Sequence, residues 1–246
     1  LSHEIFGDRF LGNRVPAWHR LGKTFETPIL ASEGVKEAGL DYEVVTSPHT
    51  VAVEYKGEII TLESDMVDIV RRPTPDDDRH VVFGSAKEGY TVVSNMVLGK
   101  MLDPFTKEWP LETVGALGNG ERVFFCLRAG KFSVLGEECE QYLFMNDTKN
   151  GSGSLNVMQS IMRVVCNNTW QAAERSASLN FSVAHHSGVV QDATVYLDQM
   201  AALRRAIAAA QHRAEAMGAT PADREAVAQL INAAFPLPNK PQRLQR

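Results

Sequence analysis

The chain of 246 residues lacks most features that mark secreted, membrane or metal-bound proteins. Its three cysteines, Cys126, Cys139 and Cys166, include no CxxC pair, which argues against a zinc site or a disulfide framework. No apolar run approaches the roughly 18 to 20 residues that a membrane-spanning helix needs. Charged residues within the first nine positions are unlike a secretory signal. These absences predict a globular protein of the reducing cytoplasm, with no membrane partner.

Motifs of catalysis are also missing. The sequence contains no GxSxG, HExxH, P-loop or GxGxxG pattern. The pair His185-His186 would face opposite ways on a strand, so the two rings are poorly placed to share a metal. Asp76 to Asp78 lie in a proline-containing loop and are more typical of a solvated turn than of a cation site. The sequence therefore predicts no enzyme, no metal and no cofactor.

Positive charge is scarce overall but unevenly distributed. The formal net charge is −5. Residues 1–148 hold 24 acidic and 15 basic residues, whereas residues 149–213 hold 3 acidic and 6 basic residues, a net charge of +3. Because local rather than total charge attracts an anion to a groove, the second region is the better candidate for binding one.

The pattern of apolar residues predicts an α+β fold of antiparallel β-hairpins. VAVEY (51–55) and EIITL (58–62) flank Lys56-Gly57 and form one predicted hairpin, and HVVFG (80–84) with YTVVS (90–94) forms a second. Short helices are expected over 32–39, capped by Ser32, and over 96–104, ending before Pro104. The N-terminal arm containing WHRLG is expected to place Trp18 in the core.

A β-β-β-α core is predicted next, from strands 121–128, 131–146 and 154–165 and a helix 167–177. The run 155–165 is ambiguous between strand and helix by its period, and its β-branched residues favour a strand. One more strand over LNFSVAHH and C-terminal amphipathic helices starting at Val190 and Thr220 follow. The expected domains are 1–215 and a C-terminal helix with a Pro-rich basic tail, 216–246.

One stretch combines a glycine loop, a basic residue on each side and a helix start. The loop NGSGS could present backbone N–H groups to an anion, and helix starts favour phosphate. The alternative interpretation is a glycine hinge, an exposed lysine, an arginine paired with an acid, and an asparagine that caps the helix. The predicted DNA-contact residues are Lys149, Asn150, Gly151, Ser152, Gly153, Ser154, Arg163, Asn167 and Asn168, with Arg128 and Lys131 added across a predicted hairpin turn.

The string EQYLFMNDTKNGSGSLNVMQSIMRVVCNNTWQAA resembles the signature of the phage/plasmid-like proteins, a family long labelled as a domain of unknown function. PAWHRLG resembles that family's W-H-x-L-G element, and LNFSVAHHSGVVQD resembles its strand and histidine before the closing helix. The resemblance covers roughly residues 1 to 215. Asn150 departs from it, since an aspartate is usual before the glycine.

This resemblance implies a mobile element as the source and a bacterial cytoplasm as the location. The β-β-β-α order further resembles single-strand annealing recombinases of the RecT, Redβ and Erf types. That likeness implies a homo-oligomeric ring or filament that binds and anneals single-stranded DNA in homologous recombination without hydrolysing nucleotide. An exonuclease of the phage or a single-strand-binding protein of the host would be a further partner. Trp170 is expected in the core.

Two other functions remain open at this point. The chain could be a non-enzymatic protein of a mobile element that binds a host protein, which predicts no DNA binding. It could also be an undetected nuclease or other enzyme using Asp76 to Asp78, which predicts metal-dependent turnover.

Overall fold

The computed structural model describes residues 3–134, 137–177 and 180–198, together with a few scattered positions beyond residue 198. Within them the fold is mixed α+β and consists mostly of strands in antiparallel pairs. The elements in chain order are β1 (Ile5–Asn13), β2 (Lys23–Phe25), α1 (Ala31–Glu37), β3 (Val44–Tyr55), β4 (Glu58–Arg71), β5 (Val81–Lys87), α2 (Asn95–Thr106), β6 (Leu111–Leu117), β7 (Arg122–Val134), β8 (Glu137–Thr148), β9 (Ser154–Ser160), α3 (Asn167–Ser176), β10 (Asn180–Ala184) and α4 (Val189–Asp198).

Two sheets organise these elements. The larger has the order β10-β9-β8-β7-β6-β1-β2, and the smaller has the order β3-β4-β5. Strands β6 to β9 form a continuous antiparallel meander, and among the described strands only the β1–β2 pair is parallel. The chain order β7, β8, β9, α3 agrees with the predicted order of elements. A separate β-β-β-α core is not confirmed, because these strands belong to a seven-stranded sheet.

The larger sheet is covered on both faces. Phe125 and Met145 belong to an apolar cluster with residues of α1 and α2, whereas their neighbours Phe124 and Phe144 belong to a second cluster with α3. This alternation follows from the two-residue period of a strand. Trp170 is buried as expected, with ring contacts to Phe124 and Phe144.

The hairpin at Lys56-Gly57 is confirmed, but the second predicted hairpin is wrong. Strand β5 pairs with β4, and residues 90–94 form no strand. Instead, the side chain of Ser94 accepts a hydrogen bond from the backbone of Val97 and caps α2. Helix α2 also continues past Pro104 to Thr106, although proline lacks the N–H group that would bond to the carbonyl of Lys100.

Three further boundaries differ from prediction. The turn expected at Ala129-Gly130 is a bulge within β7, and the extra residue is absorbed without ending the strand. Strand β9 ends at Ser160, whose hydroxyl accepts a hydrogen bond from Met162 N, so Arg163 follows the strand instead of lying within it. Helix α1 begins at Ala31 with Leu30 as its N-cap, and Ser32 binds Asp103 of α2.

The predicted C-terminal helices are only partly observed. Helix α4 (Val189–Asp198) is present, while most of the remaining chain, including the helix expected from Thr220 and the Pro-rich tail, lies outside the described residues. None of the described helices is long and apolar enough to cross a membrane.

Candidate nucleic-acid interface

The glycine loop between β8 and β9 satisfies its own polar groups. Oδ1 of Asn150 accepts hydrogen bonds from Ser152 N at 3.1 Å, Gly153 N at 2.9 Å and the Ser152 hydroxyl at 3.0 Å. The loop also packs on β5, since a Cβ at Gly151 would lie 2.2 Å from Ser85 O. Two of the N–H groups predicted to bind phosphate are therefore engaged inside the loop.

Lys149 is completely buried, contrary to the exposed position that phosphate contact requires. Its ammonium group forms an ion pair with the buried carboxylate of Asp147. Nε2 of His185 lies 2.8 Å from the other carboxylate oxygen, and the imidazole stacks on Tyr90 at 4.8 Å. Burial alone would raise the pKa of Asp147, but Lys149 and His185 outweigh it and lower the pKa below its usual value. This network holds the start of the loop against β10.

Arg163 is engaged with the protein as well. Its Nε lies 2.9 Å from Oε1 of Glu112 on β6, and its Nη2 donates to the carbonyl of Val15 at 3.0 Å. Glu112 also accepts a 3.3 Å hydrogen bond from Asn13. Arg163 therefore connects the end of β9 to the N-terminal segment. The prediction that it lies within a strand lining a groove is wrong.

The paired asparagines at the start of α3 have different environments. Asn167 is buried and bonds to Arg122 at 2.9 Å and to Glu4 at 3.1 Å, whereas Asn168 is exposed. Neither residue caps the helix. Oγ1 of Thr169 accepts from Cys166 N at 3.0 Å, which makes Cys166 the N-cap.

Arg128 and Lys131 are not brought to the glycine loop. Both lie on β7 and not across a turn, and Lys131 is nine residues along the strand from the position opposite Thr148, which corresponds to about 30 Å. Each has an acidic neighbour on β8: Glu140 lies 3.6 Å from Arg128 and Glu138 lies 2.8 Å from Lys131. The predicted residues thus do not all lie in one groove.

A different segment presents free positive charge. The segment 14–23, RVPAWHRLGK, is called the WHRLG loop below, and it includes the exposed residues Arg14, Trp18, Arg20 and Lys23. Trp18 is 59% exposed, so its predicted place in the core is wrong. None of the three cations forms an ion pair with a carboxylate of the described residues.

The buried side of this loop explains why Trp18 points outward. His19, not Trp18, is the inward anchor: Nε2 lies 2.8 Å from Val165 O, Nδ1 accepts from Leu21 N at 3.0 Å, and the ring contacts Phe10 edge-on at 5.0 Å. With one ring nitrogen donating and the other accepting, the imidazole is neutral. Burial accordingly lowers the pKa of His19, partly offset by the bond to Val165.

Close packing sets the shape of the loop. A Cβ at Gly22 would lie 1.9 Å from the carbonyl oxygen of Phe10, so only glycine fits there. Beside it lies a cavity of about 310 Å³. The cavity is lined by Phe10, Pro16, Ala17, Arg20, Leu21, Gly22, Lys23 and Thr24. A pocket that combines apolar walls with two cations can accept a flat or apolar group attached to an anion.

The sequence did contain a signal for this surface. Residues 9–25 include four basic residues and no acid, within a half of the chain whose net charge is negative. The net charge of long blocks conceals this signal, and a tryptophan usually lies largely in the core.

The comparisons with known proteins identify a family but no activity. A family described as a domain of unknown function, DUF932, matches residues 82–246, about two thirds of the chain. The chain belongs to this family. No curated protein and no solved structure matches it. The DUF932 match includes Arg163 and Val165 but not the WHRLG loop that they hold.

Proposed function

We propose that this DUF932 protein binds and anneals single-stranded DNA through the WHRLG loop. The observation that supports this most strongly is the exposed indole of Trp18 beside Arg14, Arg20 and Lys23, none of which has a carboxylate partner in the described chain. Proteins that bind single strands without sequence preference combine aromatic rings, on which bases stack, with cations that follow the phosphates.

Backbone conformation gives independent support. Arg14 and Arg20 both have φ of 57°, a left-handed conformation that glycine adopts without cost. An L-residue with a Cβ costs about 1 kcal/mol or more there. Strained residues persist at functional sites when their side chains are needed. Two arginines in such positions on one exposed loop fit a requirement for their guanidinium groups.

Arg163 has a positioning role in this proposal. It neutralises Glu112 and holds the carbonyl of Val15, while Val165 holds His19. The half-buried guanidinium of Arg163 and the carbonyl of Val165 therefore set the loop's shape, and the loop's outward side chains contact DNA.

One subunit offers only three free cations on this loop, so each copy contacts few phosphates. Useful affinity would then come from several copies along one strand, and binding would weaken steeply with salt. We accordingly propose a homo-oligomeric ring or filament that acts in homologous recombination of a mobile element in a bacterial cytoplasm, without nucleotide hydrolysis. An exonuclease or a single-strand-binding protein would be its partner.

The second candidate is binding of a host protein at the same loop. Exposed Trp and Arg side chains are also the residues that dominate protein interfaces. The two functions differ in salt dependence and in the need for a nucleic acid.

The test is annealing of two complementary labelled oligonucleotides in EDTA, at low and moderate salt. Wild type and the control Lys36→Ala, on the opposite face of the larger sheet, should accelerate annealing equally. Arg20→Gly removes one charge and relieves the left-handed strain, so it should slow annealing without loss of stability and should reduce the salt dependence by about one counterion. Absence of both DNA binding and annealing in the wild type at low salt would exclude this function and favour the host-protein partner.

A further inference from the structure

Strands β3 and β4 extend beyond the rest of the smaller sheet as a two-stranded arm, residues 50–63. Strand β5 pairs only with Met66 to Arg71 of β4, so none of the described strands adds a third strand to the arm. Every residue from 50 to 65 is exposed. An isolated hairpin is marginally stable in water unless one of its faces is covered.

The two faces of the arm differ sharply. Cross-strand pairing places Val51 opposite Leu62 and Val53 opposite Ile60, and the same face continues to Tyr55 opposite Glu58 at the tip. The five apolar side chains of this face range from 40% exposed at Val53 to 58% at Tyr55. We call them the apolar strip.

The opposite face is mostly polar. It carries Thr50 opposite Glu63, Ala52 opposite Thr61, and Glu54 opposite Ile59. Such alternation is the pattern of a strand pair with one buried side. In the described chain no other element covers the apolar strip.

The charges on the arm exclude two kinds of occupant. Residues 50–63 contain Glu54, Glu58 and Glu63 against Lys56, a net charge of −2. Nucleic acid and anionic lipid surfaces would be repelled by this charge. A protein surface with its own apolar strip is the remaining kind of occupant.

We propose that the apolar strip packs face to face against the same strip of a second copy, with the two arms antiparallel. A two-fold axis near the central pair Val53 and Ile60 places the tip of one arm over the base of the other, so that Tyr55 of one copy lies towards Val51 and Leu62 of the second copy. Apolar residues thus meet along the length of the contact, and the tip residues Lys56 and Glu58 of each copy lie at its two ends.

The area is sufficient for a weak specific dimer. The strip exposes on the order of 400 Å² per copy. This area is within the range of the largest apolar patch on a typical monomer, and such a patch is often a functional surface. Covering both strips and their polar margins removes roughly 1,200 Å² from water, the lower limit of specific interfaces. This proposal supplies a contact for the oligomer proposed above, but it does not depend on DNA binding.

A matched pair of variants tests it without DNA. Ile60→Lys places a charge in the strip, whereas Thr61→Lys places the same charge on the opposite face. Sedimentation velocity over a concentration series should show self-association of the wild type and of Thr61→Lys. The association constant should fall at least tenfold in Ile60→Lys. A wild type that stays monomeric at all concentrations, or equal association of both variants, would overturn the proposal.

Cross-linking tests the geometry. In a Cys139→Ser background, whose remaining thiols Cys126 and Cys166 are buried, Val53→Cys should form a disulfide-linked dimer under mild oxidation. Ala52→Cys, on the opposite face, should not. Equal cross-linking of the two variants, or none at Val53→Cys, would contradict face-to-face packing. Loss of DNA annealing with intact cross-linking would instead count against the proposed function alone.

Discussion

The glycine loop 150–154 and the WHRLG loop both differ from what their sequences predict, but in opposite directions. The glycine loop has the composition of an anion site, yet Asn150 occupies its N–H groups and Asp147 neutralises the preceding Lys149. The WHRLG loop has the composition of a core-anchored arm, yet Trp18 and Arg20 are exposed. The comparison teaches that a cation is available to a ligand only if no nearby carboxylate already binds it.

The largest expected effect concerns the buried lysine. Lys149→Met should destabilise the protein by about 3 to 5 kcal/mol, because Asp147 would remain buried without its ammonium partner. Urea unfolding measures this loss, and Lys107→Met, at an exposed position, should change stability by less than about 0.5 kcal/mol. If Lys149→Met were stable but no longer bound DNA, the glycine loop and not the WHRLG loop would be the site of DNA contact.

Trp18→Ala should weaken DNA binding and leave stability nearly unchanged, the opposite of the effect expected for Lys149→Met. If one base stacks on the indole, its loss should weaken binding of an oligonucleotide by about 1 to 3 kcal/mol, whereas stability should change little because Trp18 is exposed. Fluorescence anisotropy of a labelled oligonucleotide measures the affinity. Trp18→Phe should retain part of it. Unchanged affinity in Trp18→Ala would show that this ring is not a stacking platform.

Much of the sheet was predictable, because β7, β8 and the 56–57 hairpin carry strong apolar and β-branched patterns. The bulge that extends β7 past Gly130 and the early end of β9 depend on cross-strand pairing and on Ser160, which a local period does not reveal. The candidate site was less predictable. The contact between Arg163 and Val15 joins residues 148 positions apart, and only the folded chain shows that the two motifs meet.

Glu112→Gln distinguishes a positioning role of Arg163 from direct contact with phosphate. Loss of the carboxylate should loosen the loop, reduce stability by about 1 kcal/mol and weaken oligonucleotide binding several-fold. If Arg163 itself bound phosphate, freeing it from Glu112 would strengthen binding. Parallel unfolding and anisotropy measurements separate the two roles.

The smallest expected effect is a pH dependence from His19. Its pKa in the folded protein lies below the usual 6.5, so the unfolded chain binds a proton more readily. The stability contributed by neutral His19 is fully present above pH 6.5 and decreases as the pH falls from 6.5 through the lowered pKa. Urea midpoints measured between pH 7.5 and about 5 should fall in the wild type and fall less in His19→Gln. Equal slopes would show that His19 does not anchor the loop through its neutral form.

Tryptophan emission during titration with single-stranded DNA tests the central claim most directly. Trp109 and Trp170 are buried, so a ligand at the WHRLG loop should act on Trp18 alone. The account predicts quenching that saturates with the anisotropy signal of the oligonucleotide and that disappears in Trp18→Phe. Saturated DNA binding with no change in Trp18 emission would place the contact elsewhere and contradict the account.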